Sequence, residues 1–154
     1  MDAMNARMPL TEPIRDGVLL ARAWRNLAAI DRLLRRDGFE TLLKRIESSG
    51  PACVEVVTGS DLRRARRYAR RLNEAARLHY VNARCLHRSL ALHQWLRLEG
   101  IPSQLRIGVR TADGELFAHA WVEIAGQPIG DEPAALTRFV PLGQRTAEQS
   151  SVSD

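Results

Sequence analysis

CLHRSLALHQWLRLEGIP, running from Cys85 to Pro102, reads as a single helix with both ends marked. Asn82, just upstream, is a good N-cap residue, and Gly100-Ile101-Pro102 is a strong stop signal. Cys85 then falls in the first helical turn, where unpaired backbone N–H groups and the positive end of the helix dipole favour a thiolate. At about 100° per residue, Cys85, Ser89, Leu92 and Leu96 form one stripe. Leu86, Leu90, Ala91, Trp95 and Leu98 cover the other sides, so the helix is expected at the centre of the fold. A cysteine so placed is a candidate nucleophile, provided that the chain supplies a base.

Composition narrows the class around this helix. A chain of 154 residues is expected to form one domain with a substantial core. Hydrophobic residues at 45% and charged residues at 27% are ordinary for a soluble globular protein. The opening residues lack the apolar run of a signal peptide, and no segment approaches the roughly 18 apolar residues of a membrane span. Cys53 and Cys85 are too few for a disulfide framework, so the expectation is a bacterial, cytoplasmic protein with reduced thiols. The net charge of +5 hides an asymmetry: residues 1–110 carry 21 basic and 11 acidic side chains, and residues 111–154 carry 2 and 7. Lys44 is the only lysine. A half so rich in arginine can steer an acidic partner, whether peptide or nucleic acid.

Residues 1–13 read as a flexible start and 14–80 as a helical region. From Ile14 to about Arg36, Leu20, Ala23, Trp24, Leu27, Ile30 and Leu34 recur at helical spacing, and Trp24 is expected in the core. Asp37-Gly38 ends that helix, Phe39 to Glu47 forms a short second one, and Ser48-Ser49-Gly50-Pro51 is a break. Cys53 to Val57 is compatible with a brief strand or an ordered loop. Ser60 is the expected N-cap of a helix from Asp61 to about His79, whose arginines, Arg67 and Arg71 among them, share one arc. That arc is solvated surface on the simplest reading, with Arg67 and Arg71 as candidates for binding a peptide or partner.

Past the Cys85 helix the period changes from 3.6 to 2. Leu105 to Arg110 reads as a strand, Asp113-Gly114 as a hairpin turn, and Leu116 to Ile124 as the return strand. Gly126 marks a second turn, and Pro128-Ile129-Gly130-Asp131 begins a third strand. Residues 81–143 form the expected catalytic core, and the Ser- and Gln-rich residues 144–154 a disordered tail. Helices followed by an antiparallel meander make the fold class α+β.

Nucleophilic cysteine catalysis needs a thiolate, an imidazole to shuttle the proton, and a group to orient the imidazole. His119 offers a base in mid-strand. Asp131 lies an even number of residues on, so a three-residue loop centred on Ala125 would set the two directly opposite on one face. Glu123 and Glu132 compete for the third place, and His79, close to Cys85 in the chain, competes for the second. His87 and His93 sit on different faces of the Cys85 helix, which leaves a zinc site without a shared face, so no metal is expected. No Gly-rich phosphate loop occurs, so no nucleotide cofactor is expected either.

The segments Cys85–Leu92, Leu96–Pro102, Ile107–Arg110 and Ala118–Glu123 resemble the protease half of the lasso-peptide biosynthesis B proteins, members of the transglutaminase-like cysteine protease superfamily. The resemblance covers roughly residues 80–132 and implies a papain/transglutaminase-like core, with the nucleophilic cysteine starting a helix packed on an antiparallel sheet. It implies a Cys85, His119, Asp131 triad and a leader peptidase acting on a ribosomally made precursor. The oxyanion would meet the Cys85 backbone N–H and a further donor, for which Asn82 and Ser89 are the candidates. Residues 1–60 lack the strand-rich pattern of the family's leader-recognition module. The chain therefore resembles the split arrangement, in which a separate small protein recognises the leader and a cyclase then closes the macrolactam. Two other classes stay open: a transglutaminase-like acyltransferase that passes the acyl group to an amine, and a non-catalytic basic module for acidic peptides or RNA.

Overall fold

A computed structural model describes residues 11–52, 56–78 and 84–142. Four helices come first: α1 (Thr11–Asp37), α2 (Phe39–Glu47), α3 (Gly59–Leu78) and α4 (Cys85–Leu98). The strands β1 (Gln104–Ala112), β2 (Glu115–Ile124), β3 (Gln127–Ile129) and β4 (Val140–Pro141) follow, with a single helical turn, α5 (Pro133–Leu136), between the last two. They form one antiparallel sheet in the order β3-β2-β1-β4. This is the α+β class that the change of period predicts.

The central position of α4 follows from its all-round apolarity. It touches α1, α2 and α3 on one side and β1 and β2 on the other. Leu90, Ala91, Trp95 and Leu96 are buried in one cluster with Leu27 and Ile30 of α1, Leu72 of α3, and Val122 and Ile124 of β2. Trp95 stacks on Tyr68 of α3 with ring centroids 4.5 Å apart. The stop signal works as a Schellman motif: Gly100, at φ +71, donates to Arg97 O, and Ile101 donates to Leu96 O at 2.9 Å while burying its side chain. Gly50, at φ +86, supports this end, since a Cβ there would collide with Arg97 O.

Several local expectations need correction. Helix α1 starts at Thr11, inside the stretch read as flexible, and Pro13 falls in its first turn, where a missing N–H costs nothing. Thr58, not Ser60, caps α3: its Oγ1 accepts from the Asp61 N–H and its own N–H donates to Asp61 Oδ2 at 2.9 Å, a reciprocal capping box. Arg84 is the N-cap of α4 and makes no side-chain cap bond; Asn82 lies outside the described residues, as do Cys53 and His79. Of the segment left between strand and loop, Val56 and Val57 are described and neither is in a strand. Trp24 is 39% exposed instead of core.

The meander uses two tight turns. Asp113-Gly114 and Ala125-Gly126 both have positive φ at each position, the two-residue turn whose twist suits a hairpin. The second is one residue shorter than expected, and it changes the register: Val122 faces Ile129 and Ile124 faces Gln127. Among the described residues, no helix is long and apolar enough to cross a membrane.

Candidate active site

Cys85 is the first residue of α4 and is half-buried, with a free thiol. The N-cap Arg84 makes no side-chain cap bond to the leading amides of α4, and the helix dipole adds partial positive charge at the sulfur. The thiol lines a cavity of about 20 Å³ together with Ser89 of α4, Ala120 of β2, Asn73 of α3 and Asp131. That space is room for about one water molecule.

His119 and Asp131 meet, though by another route than the one expected. The register that pairs Val122 with Ile129 puts Asp131 level with Ala120, so an unbroken strand would turn the two side chains to opposite faces. β3 instead ends at Ile129, and Gly130, at φ +87, breaks the alternation. His119 Nε2 then lies 3.2 Å from Asp131 Oδ1. A carboxylate only accepts, so Nε2 carries the hydrogen and Nδ1 is left as the basic nitrogen. The imidazole is also held by rings: Trp121 lies nearly parallel at 6.2 Å and Phe139 tilts against it at 5.4 Å. Gly108, opposite His119 on β1, makes the space, since a Cβ there would meet Trp121 at 2.9 Å and Phe139 at 3.0 Å.

Of the competitors for the third place, Glu123 has its carboxylate engaged elsewhere. Glu123 accepts from Trp121 Nε1 at 2.9 Å and from Arg106 Nε at 3.1 Å. Glu132 is the N-cap of α5, with its carbonyl accepting from the Ala135 N–H. Ser89, offered as an oxyanion donor, gives its hydroxyl hydrogen to Ala120 O at 2.8 Å and is a buried tie between α4 and β2. Arg88 and Asn73 were not anticipated: both line the cavity, and Arg88 Nη1 donates to Asn73 Oδ1 at 3.2 Å. The i,i+3 spacing from Cys85 placed Arg88 on the nucleophile's side of the helix, but no pattern in the chain tied α3 to it.

Arg67 and Arg71 do not offer open guanidinium groups. Both pair with Asp16 of α1, and Arg71 also bonds Glu74 Oε2 at 2.6 Å, which braces α1 against α3. The Arg67 hydrogen bond holds the Asp16 carboxyl below the usual carboxylate range, and the bond to Glu74 raises Arg71 above its ordinary value. His87 is bound to Asp31 at 3.2 Å. His93 is buried against Ser103 Oγ at 2.8 Å, and burial, followed by the nearby Arg97, pushes it down to about 4. Among the described residues, no three His, Cys, Asp or Glu side chains are grouped to hold a metal ion.

A family model described as the transglutaminase-like superfamily matches residues 26–144. The microcin J25-processing protein McjB of Escherichia coli is 41% identical over 56 residues. That stretch covers 36% of this chain and 26% of the Escherichia coli protein, so it spans about a quarter of the relative's length. No solved structure matches the chain. Both matches agree with the resemblance carried by the segments around Cys85 and His119.

Proposed function

The chain belongs to the transglutaminase-like superfamily, and from that membership we propose that it is a cysteine peptidase that removes the leader from a lasso-peptide precursor. The observation that carries this reading is the 3.2 Å His119–Asp131 hydrogen bond beside the cavity that Cys85 and Asp131 share. In the proposed mechanism, His119 Nδ1 takes the thiol proton and the Cys85 thiolate attacks the scissile carbonyl. The oxyanion is met by the Cys85 backbone N–H at the start of α4. The imidazolium protonates the departing amine, which leaves a thioester, and water activated by His119 hydrolyses it to the free acid and thiol. Asp131 fixes the imidazole tautomer and stabilises its charged form.

The partners proposed are the precursor peptide, a separate protein that recognises its leader, and the cyclase that closes the macrolactam on the freed N-terminus. The test combines precursor, recognition protein and this chain, with Cys85→Ala in parallel. Two peptide fragments released by the parent protein alone are expected. Equal cleavage by Cys85→Ala would sink the reading. A cross-link or amine adduct in place of two fragments would assign the chain to acyl transfer.

A further inference from the structure

The arginine face of α3 is largely turned to internal ion pairs, but α1 carries another basic surface. Arg25 and Arg32 are seven residues apart on α1, so they stand on one face about 10 Å apart along the axis. Both are exposed and make no ion pair with any described residue. Between α1 and the C-terminal half of α4 they line a groove of about 640 Å³, within the range of ligand-binding clefts. Trp24, 39% exposed, and Leu98, 48% exposed, give the groove apolar walls, and no carboxylate lines it. Trp95, 1% exposed, forms the groove floor beneath the Arg22 guanidinium, which lies 4.6 Å over its ring.

We propose that this groove docks an acidic segment of a partner protein that carries a large apolar side chain. Carboxylates would pair with Arg25 and Arg32, and the apolar side chain would lie against Trp24 and Leu98. Residue spacing along α4 sets Trp95 about 15 Å from Cys85, so the groove is a docking surface apart from the candidate active site. The two charges also set the partner's pattern, since acidic residues three apart in an extended segment are about 10 Å apart.

Fluorescence anisotropy on the full chain tests this with a labelled peptide of the repeat Glu-Leu-Gly-Glu-Phe-Gly. Binding is expected at low salt, weaker as salt rises. It should fall at least about fivefold in Arg25→Glu/Arg32→Glu and in Trp24→Ala, and remain in Arg66→Glu on the exposed side of α3. A peptide with Lys for Glu, or with Ser for Leu and Phe, should not bind. The proposal is overturned by absence of binding, by groove variants that bind like the parent, or by a labelled single-stranded RNA that binds more tightly and is lost in the same variants. None of these readouts uses Cys85, so the result stands apart from the peptidase assay.

Discussion

Asp131 accepts from His119 Nε2 at 3.2 Å one residue beyond Gly130, whose backbone turns at φ +87 against Ala69 of α3. Two constraints meet at that glycine. A side chain at positive φ is strained, and a Cβ built there would lie 2.8 Å from the Ala69 Cβ. Gly130→Ala should cost about 1–3 kcal/mol in urea unfolding, the range of a strained backbone position. It should also reduce cleavage beyond what the lost stability explains, because Asp131 shifts away from His119. Parent-like activity would show that the glycine does not set the carboxylate.

Asp131 and Glu123 can be told apart by kinetics. Asp131→Ala should lower cleavage on the order of 10²–10⁴-fold, the scale for a group that tunes a proton-transferring side chain. Glu123→Gln should keep the rate within about fivefold, since Glu123 is held by Trp121 and Arg106. Single-turnover rates on both variants provide the comparison, and the reverse order would transfer the role to Glu123.

Ser89→Ala separates a structural tie from an oxyanion donor. Its hydroxyl is committed to Ala120 O at 2.8 Å, so the variant should lose about 1–3 kcal/mol of stability. The rate per folded molecule should change little, whereas an oxyanion donor would take about 10²–10³ with it.

His93 predicts an acid limb in stability. Its folded value lies near 4 against an ordinary 6.5, with burial as the main cause. The unfolded chain therefore binds the proton first, so stability is complete above about pH 6.5 and is lost as pH falls toward 4. The loss approaches about 3 kcal/mol, from about 1.4 kcal/mol for each unit between the two values. Urea midpoints across that interval measure it, and His93→Gln should flatten the curve there. Below about pH 4 the Asp16, Asp37 and Asp61 carboxyls, lowered by hydrogen bonds to Arg67, Arg36 and Thr58, take over the decline in both proteins.

Local elements were legible in the chain because their signals are local. The break at Asp37-Gly38, the Gly100 stop and the Asp113-Gly114 turn each depend on one residue's backbone freedom. Phe39–Glu47 comes out with the bounds expected. Thr58 was missed as a cap because Ser60 is as good a capping residue, and the choice rests on which carboxylate can bond back to it.

The sequence alone determined the order of elements and put Cys85, on a dipole-favoured first turn, at the head of a helix with apolar residues on most of its sides. It also supplied His119 and Asp131 in the following strands. Tertiary structure decided how His119 and Asp131 meet. A turn one residue shorter than expected reverses side-chain parity, and only the bend at Gly130, set against Ala69 of a helix far away in the chain, restores the contact. It likewise decided that Ser89 bonds a strand carbonyl, that Arg67 and Arg71 pair with Asp16, and that Trp24 lies on a groove wall. Each of these depends on which surfaces pack together, and periodicity along one element carries no information about the partner across it.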